Sequence, residues 1–431
     1  MRILITGVAG FIGSHLALRL LKTEPEACIL GIDNLNDYYD PALKLYRLRQ
    51  IDQAAASLNA ANVGTRHGAS ANVASCPDGA SERIAGGATP GNRAASVRPE
   101  GPQERKTNRW RFIKADISDK PALLKIFSDF RPEIVVNLAA QAGVSHSVDN
   151  PDSYIQSNII GFYNILEACR HTGGVRHLLY ASSSSVYGTN ERVPYSTEDK
   201  TDTPVSLYAA TKKSNEVMAH AYSSLYGIPT TGLRFFSVYG PMGRPDMAYY
   251  KFTDALLAGR PITLYANGLC RRDFTYIDDA ITALMKILPS PPSIPSPAEC
   301  PVGASESIAG GATPGNRVKS VRPEGPQERI LSAIYNIASS HPVTMKDFLQ
   351  ILQEELSSLL ETSKEISTFN SQLSTFKNTT PHLKPALPPY DLPSTYADIT
   401  PLSRDFGYHP TTPLRVGLRN FLSWYKSYHN L

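Results

Sequence analysis

No stretch of this chain reaches the ~18 to 20 consecutive apolar residues that a membrane-crossing helix needs. The most apolar start is Ile3–Ile5 and the glycine-containing run to Gly13. It is too short for a signal peptide, and Gly, Thr and Ser interrupt it. Cysteine is scarce and scattered: Cys28, Cys76, Cys169, Cys270 and Cys300 form no CxxC pair. That usage predicts reduced thiols in a cytoplasmic protein and no bound metal. Charge of one sign is also lacking. The net charge is +4 over 431 residues, which gives no reason to expect nucleic acid as a partner. What is present, 42% apolar and 19% charged residues, is the composition of a soluble globular chain long enough for two domains.

Met1 to Gly7 reads as a buried parallel strand, and residues 12–23 have helical periodicity with Ile12, Leu16, Leu20 and Leu21 on one face. Ile29 to Ile32 forms a second strand ending at Asp33. Strand and helix patterns then alternate through Phe112–Ala115, Ala122–Phe130, Ile134–Leu138, Tyr154–Cys169 and His177–Ala181. This βαβ rhythm predicts an α/β fold with a Rossmann-like doubly wound parallel sheet over residues 1–236. Residues 237–431 read as a smaller α+β substrate lobe. It has helices near Lys251–Leu257, Asp278–Leu288, Met345–Glu355 and Leu414–Tyr425, and strands near Ile262–Tyr265 and Ile334–Ile337.

Two segments, 54–108 and 289–330, break the rhythm and share a repeat. Residues 79–105 and 303–329 differ at only three of 27 aligned positions. Two distant copies cannot stack as a solenoid. Their composition, rich in Gly, Pro, Ala, Ser and Asn, buries too little apolar surface to offset chain entropy. They read as insertions into surface loops, where long excursions cost little.

Gly7, Gly10 and Gly13 follow the first strand and open the first helix, together with Phe11 and Ile12. Such a turn brings a pyrophosphate to a helix N-terminus, and the glycines permit the tight turn, close ligand approach and close helix packing. Asp33 ends the second strand 20 residues after Gly13, with Asn34 next to it. A carboxylate there accepts from ribose hydroxyls and repels a 2′-phosphate, which favours NAD over NADP.

Tyr208 and Lys212 stand at i and i+4, so a helix places them on one face. A free phenol ionises near pH ~10, too high for a base at neutral pH. A neighbouring ammonium and an oxidised nicotinamide both favour the phenolate. Upstream, the serine run Ser182–Ser185 precedes Val186-Tyr187-Gly188 at the end of a predicted strand.

The GxxGxxG spacing, the serine run and YxxxK together resemble the extended short-chain dehydrogenase/reductase family. Ala115-Asp116-Ile117 is similar to the family segment that contacts adenine, and Leu138-Ala139-Ala140-Gln141 to one lining the cofactor. Asn158 matches a family asparagine near the active-site helix, and Ser183 falls where the family keeps its catalytic Ser/Thr. Within that family, Asn36–Pro41, Phe235–Ala248, Arg272–Asp279 and Pro393–Asp398 resemble segments of UDP-glucuronate 4-epimerases. The likeness spans the chain outside the two insertions and is weakest over 356–390.

The resemblance implies a UDP-sugar substrate, NAD held as a prosthetic group, and a homodimer packed through the helices at 154–170 and 206–226. Tyr208 would take the 4-hydroxyl proton as hydride leaves C4, and the resulting 4-keto sugar would turn over and take the hydride back. That intermediate is a β-keto acid. Ser237 and Arg244 align with family residues that hold its carboxylate, and Arg272 with one that contacts the diphosphate. Ser237 stands where Thr is usual and Met242 where Trp is usual, so the carboxylate pocket departs from the pattern. Ser184 and Ser185 occupy the places where related dehydratases and decarboxylases carry acidic residues, which favours plain epimerisation. The rival readings are a 4-epimerase of a neutral or N-acetylated UDP-hexose and an inert NAD-binding scaffold.

Overall fold

The computed structural model describes residues 1–64, 105–107, 109–293, 331–361 and 381–431. Apart from Arg105, both repeat copies lie outside them. The first half runs β1 (Arg2–Thr6), α1 (Phe11–Thr23), β2 (Cys28–Asp33), α2 (Pro41–Gly64), β3 (Arg105–Lys106), β4 (Trp110–Lys114), α3 (Lys120–Phe130) and β5 (Ile134–Asn137). Two short helices follow, α4 (His146–Asp149) and α5 (Pro151–Tyr154), then a π-helical stretch at Ile155–Gly161 that runs into α6 (Phe162–Thr172). Next come β6 (His177–Ser183), a 3₁₀ turn at Ser184–Tyr187, α7 (Leu207–Tyr226) and β7 (Thr230–Phe235).

The remainder supplies β8 (Ser237–Tyr239), α8 (Ala248–Leu257), β9 (Thr263–Tyr265), β10 (Arg271–Tyr276), α9 (Ile277–Ile287) and β11 (Ser332–Ile337). After these stand β12 (Pro342–Thr344), α10 (Met345–Glu361), β13 (His382–Lys384), and two last helices at Thr400–Phe406 and Leu414–His429.

The main sheet has the order β11-β7-β6-β5-β1-β2-β4-β3. Its strands pair in parallel except β3, which lies antiparallel to β4 at the edge. The chain winds outward from β1 to β4, then crosses back to β5, so the strand order reverses between β1 and β5. Such a switch point leaves a crevice at the strands' carboxyl ends. Period-two alternation decides which helices cover which face. Ile3 and Ile5 join the core beside α1, α2 and α9, while Leu4 joins the opposite core with Phe127 and Ile165.

Four details depart from the sequence reading. α2 continues to Gly64, well into the segment read as insertion, because Ile51, Ala55 and Leu58 keep one face packed on the core. Strand β3 likewise belongs to the end of that segment, and α10 runs six residues beyond Glu355. Finally, β11 pairs along its whole length with β7, from Ser332 beside Thr230 to Ile337 beside Phe235. The chain beyond 236 therefore returns one strand to the main sheet. The other small strands form the sheet β12-β10-β8 and the pair β13-β9.

Candidate active site

A cavity of about 540 Å³ opens at the switch point. Its nucleotide end is built by the β1–α1 turn. Gly7 has φ +67°, and a Cβ there would stand 2.7 Å from the Ala139 nitrogen. A Cβ on Gly13 would stand 2.4 Å from the Gly7 oxygen. The turn therefore fits only without those side chains. Gly10 caps α1 with no side-chain hydrogen bond, and Gly10, Phe11, Ile12 and Gly13 all line the cavity. The first-turn N–H groups, which a helix leaves unsatisfied, thus border the space a pyrophosphate needs.

Asp33 sits at the end of β2, its Oδ2 accepting from the Ala9 N–H at 3.1 Å and Oδ1 from the Leu35 N–H at 2.8 Å. Burial pushes its carboxyl above the usual range, against the pull of Lys44 and those two N–H groups. Asn34 donates to Asp116 at 2.8 Å. Burial raises Asp116, but the hydrogen bonds from Asn34 and Ser118 outweigh it and hold the group below the usual range. These donors and acceptors, with the glycine cradle, suit a dinucleotide.

Asn158 fixes the wall between cofactor and catalytic helix. Its Oδ1 accepts from the Gln141 N–H at 2.8 Å, and its Nδ2 donates to the Gln141 carbonyl and the Thr211 hydroxyl at 3.0 Å. It lies in the π-helical stretch, a geometry that often marks functional positions.

Ser206 caps α7, accepting from the Ala209 N–H at 3.1 Å, which puts Tyr208 in the first turn and Lys212 one turn on. The Lys212 Nζ donates to the Ala181 carbonyl at 2.9 Å and lies 6.0 Å from the Tyr208 ring centroid. Burial lowers the Lys212 pKa to about 8. Burial also raises the Tyr208 phenol, opposed by a hydrogen bond with Ser183 and by the charge of Arg244. In the protein alone, then, the phenol is not lowered as the pairing with Lys212 suggests, because burial outweighs the groups that favour the phenolate. Ser183 hydrogen-bonds Ser185 at 3.2 Å.

The serine strand is pinned from behind. Ser182 donates to Glu216 at 2.6 Å, and Arg234 holds the same carboxylate with both Nε (2.8 Å) and Nη2 (2.9 Å). Arg234 also donates to the Tyr187 hydroxyl, which donates in turn to Asn336 on β11. Nothing local in the sequence announces this network, since its members come from β6, the 3₁₀ turn after it, α7, β7 and β11.

At the far end, Arg244 donates through Nε and Nη2 to both oxygens of Asp246, and the Tyr38 hydroxyl donates to Asp246 at 3.1 Å. Arg272 donates to Asp391 at 2.6 Å and to the Arg271 carbonyl at 2.9 Å. Ser237, Ser184 and Ser185 line the same space.

Residues 3–70 and 87–303 match the NAD dependent epimerase/dehydratase family. The chain belongs to that family. It is 37% identical to Protein CapI of Staphylococcus aureus over 100% of this chain and 99% of that protein. It is 34% identical to UDP-glucuronate 4-epimerase 1 of Arabidopsis thaliana, over 99% of this chain and 77% of that one. Among solved structures, UDP-glucuronic acid 4-epimerase from Bacillus cereus, in complex with UDP-glucuronic acid and NAD, superposes with TM-score 0.67. That match is at 26% identity over 99% of this chain and 100% of that one.

Every residue singled out from the sequence for cofactor, sugar or proton transfer lines this one cavity of the epimerase/dehydratase fold, including Ile117, Leu138, Ala139 and Ala140. Met242, which stands where Trp is usual in the family-like segment, is 7% exposed and is not among the residues lining the cavity. Its carbonyl instead accepts from the buried Arg47, which also donates to the Ala9 carbonyl and so ties the glycine turn to the 242–243 loop. Tyr38, Lys44, Asp246 and Asp391 also line the cavity, unremarked in the sequence. Tyr38 and Asp246 did lie inside family-like segments; Asp391 carried no signal.

Proposed function

We propose that this chain interconverts UDP-glucuronate and UDP-galacturonate by NAD-dependent 4-epimerisation, through a transient 4-keto sugar. The observation that carries the reading is one cavity lined by Tyr208, Lys212 and Ser183 together with the Arg244 fork, with no acidic residue at 184 or 185. NAD supplies the hydride acceptor and the donor for its return. Gly7, Gly10, Phe11, Ile12 and Gly13 seat its pyrophosphate, Asp33 and Asn34 its ribose, Asp116 and Ile117 its adenine, and Leu138 to Ala140 the chain between.

Tyr208 removes the 4-hydroxyl proton and later restores it, and Ser183 hydrogen-bonds the reacting oxygen. The Lys212 ammonium, one turn from Tyr208 and held by the Ala181 carbonyl, is an opposite charge that would favour the phenolate. Ser184 and Ser185 border the sugar, Ser237 and Arg244 hold its carboxylate, and Arg272 meets the diphosphate. Holding the carboxylate keeps the C–C bond to it out of the geometry for losing CO₂.

Ile155, Ile160 and Tyr163 near α6, with Val217, Leu225 and Tyr226 on α7, are large apolar residues left exposed. They support a homodimer through these helices, which light scattering checks. Among the described residues no helix is long and apolar enough to cross a membrane, and the reading places the enzyme in the cytoplasm.

The test is turnover of UDP-glucuronate against UDP-glucose by the purified protein. The expected result is epimerisation of the acid sugar. Epimerisation of the neutral sugar alone would overturn the reading.

A further inference from the structure

An arginine that binds a substrate carboxylate must have its fork aimed and its free edge presented. Arg244 offers five N–H groups. Asp246 takes Nε at 2.9 Å and one N–H of Nη2. Three N–H groups remain, and two of them, one on Nη1 and the second on Nη2, form the end that accepts a second carboxylate side by side. Asp246 thus fixes the guanidinium plane and leaves its outer edge open.

Asp246 is itself braced. The Tyr38 hydroxyl, from the loop after β2, donates to its Oδ2 at 3.1 Å. Tyr38 cannot drift, because Gly143 (φ +101°) lies so close that a Cβ there would stand 2.3 Å from its hydroxyl, and His146 packs on its ring at 5.0 Å. Burial would raise the Asp246 carboxyl, but Arg244 and Tyr38 hold it below the usual range, so it stays ionised.

We propose that Asp246, braced by Tyr38, is the positioning residue that aims Arg244 at a substrate carboxylate and thereby sets both acid-sugar selectivity and retention of that carboxylate. The proposal rests on the epimerase reading. If the aim is lost, the 4-keto acid loses CO₂: the C5–C6 bond breaks, its electron pair passes into the C5–C4–O enolate, and C5 takes up one proton. The oxidant is the NAD of the reaction itself.

The test compares the native protein with Asp246→Asn and Tyr38→Phe on UDP-glucuronate and UDP-glucose, with product masses recorded. Asp246→Asn should raise KM for UDP-glucuronate about tenfold, the loss expected for one charge-assisted contact. It should lower the ratio of acid to neutral turnover, and raise the fraction of product lacking CO₂ about tenfold. Tyr38→Phe should shift both ratios the same way by less. These are ratios within one sample, so partial misfolding does not move them. If Asp246→Asn does not fold, Tyr38→Phe decides. Unchanged ratios with an active native enzyme overturn the proposal. A native protein inactive on UDP-glucuronate overturns the epimerase reading instead.

Discussion

Tyr208 and Lys212 were legible because their relation is local: four residues on a helix share a face whatever the surrounding fold. Tyr208→Phe keeps the ring and removes the proton carrier. It should lower kcat by about 10³-fold or more while NAD still copurifies, since general-base losses run to roughly 10²–10⁴. Turnover within tenfold of native would contradict that role. Lys212 adds a pH signature. Its folded pKa is about 8 against an ordinary 10.5, because burial disfavours the charge. Below pH 8 both folded and unfolded chains hold the proton, and the fold carries the full burial cost. Between about 8 and 10.5 the unfolded chain holds the proton that the fold has released, so native stability rises with pH. Lys212→Met lacks this rise. Denaturant unfolding should show its stability advantage over native narrowing by up to about 3 kcal/mol from pH 7.5 to 10.5. The direction of the Tyr208 shift was not legible, because the burial that raises the phenol comes from tertiary packing around α7 and not from the helix spacing itself.

Elements were legible where a period or a cap was present, and less so at their ends. Strand β1, the glycine turn and α1 follow from pattern alone. The length of α2 did not, since its last turns are alanine-rich and carry few of the apolar markers that reveal a face. The support behind the serine strand was invisible, because Glu216 and Arg234 acquire meaning only when α7 and β7 pack together. That support is strong. Glu216→Ala leaves Arg234, 2% exposed, as an unpaired buried charge, which costs about 3–5 kcal/mol. A fall in unfolding free energy of that size is expected, with a fall in kcat as Ser182 and Ser183 loosen. Gly13→Ala should abolish NAD retention, because its Cβ would stand 2.4 Å from the Gly7 oxygen. Normal NAD content in that variant would contradict the seating of the pyrophosphate on this turn.

At the scale of the whole molecule, the parallel sheet followed from the βαβ rhythm, but the return of β11 to it did not. A repeat copy separates that strand from its helix α9, and pairing across such a distance leaves no local trace. The first repeat is flanked by firm anchors: Trp110 donates to Asp52 at 2.9 Å, and Arg109 donates to the Glu24 carbonyl at 2.6 Å. Replacing residues 67–102 with a short Gly/Ser linker should therefore leave unfolding free energy within about 1 kcal/mol of native, since loop length enters stability only logarithmically. Deleting 54–108 removes the buried Ala55 and should unfold the chain. The central claim is that hydride leaves and returns to one carbon. UDP-glucuronate deuterated at C4 tests it most directly: UDP-galacturonate should form with the label still on C4, even when unlabelled NADH is present in the medium. Label lost from the epimer, or found only in free NADH, would contradict the account.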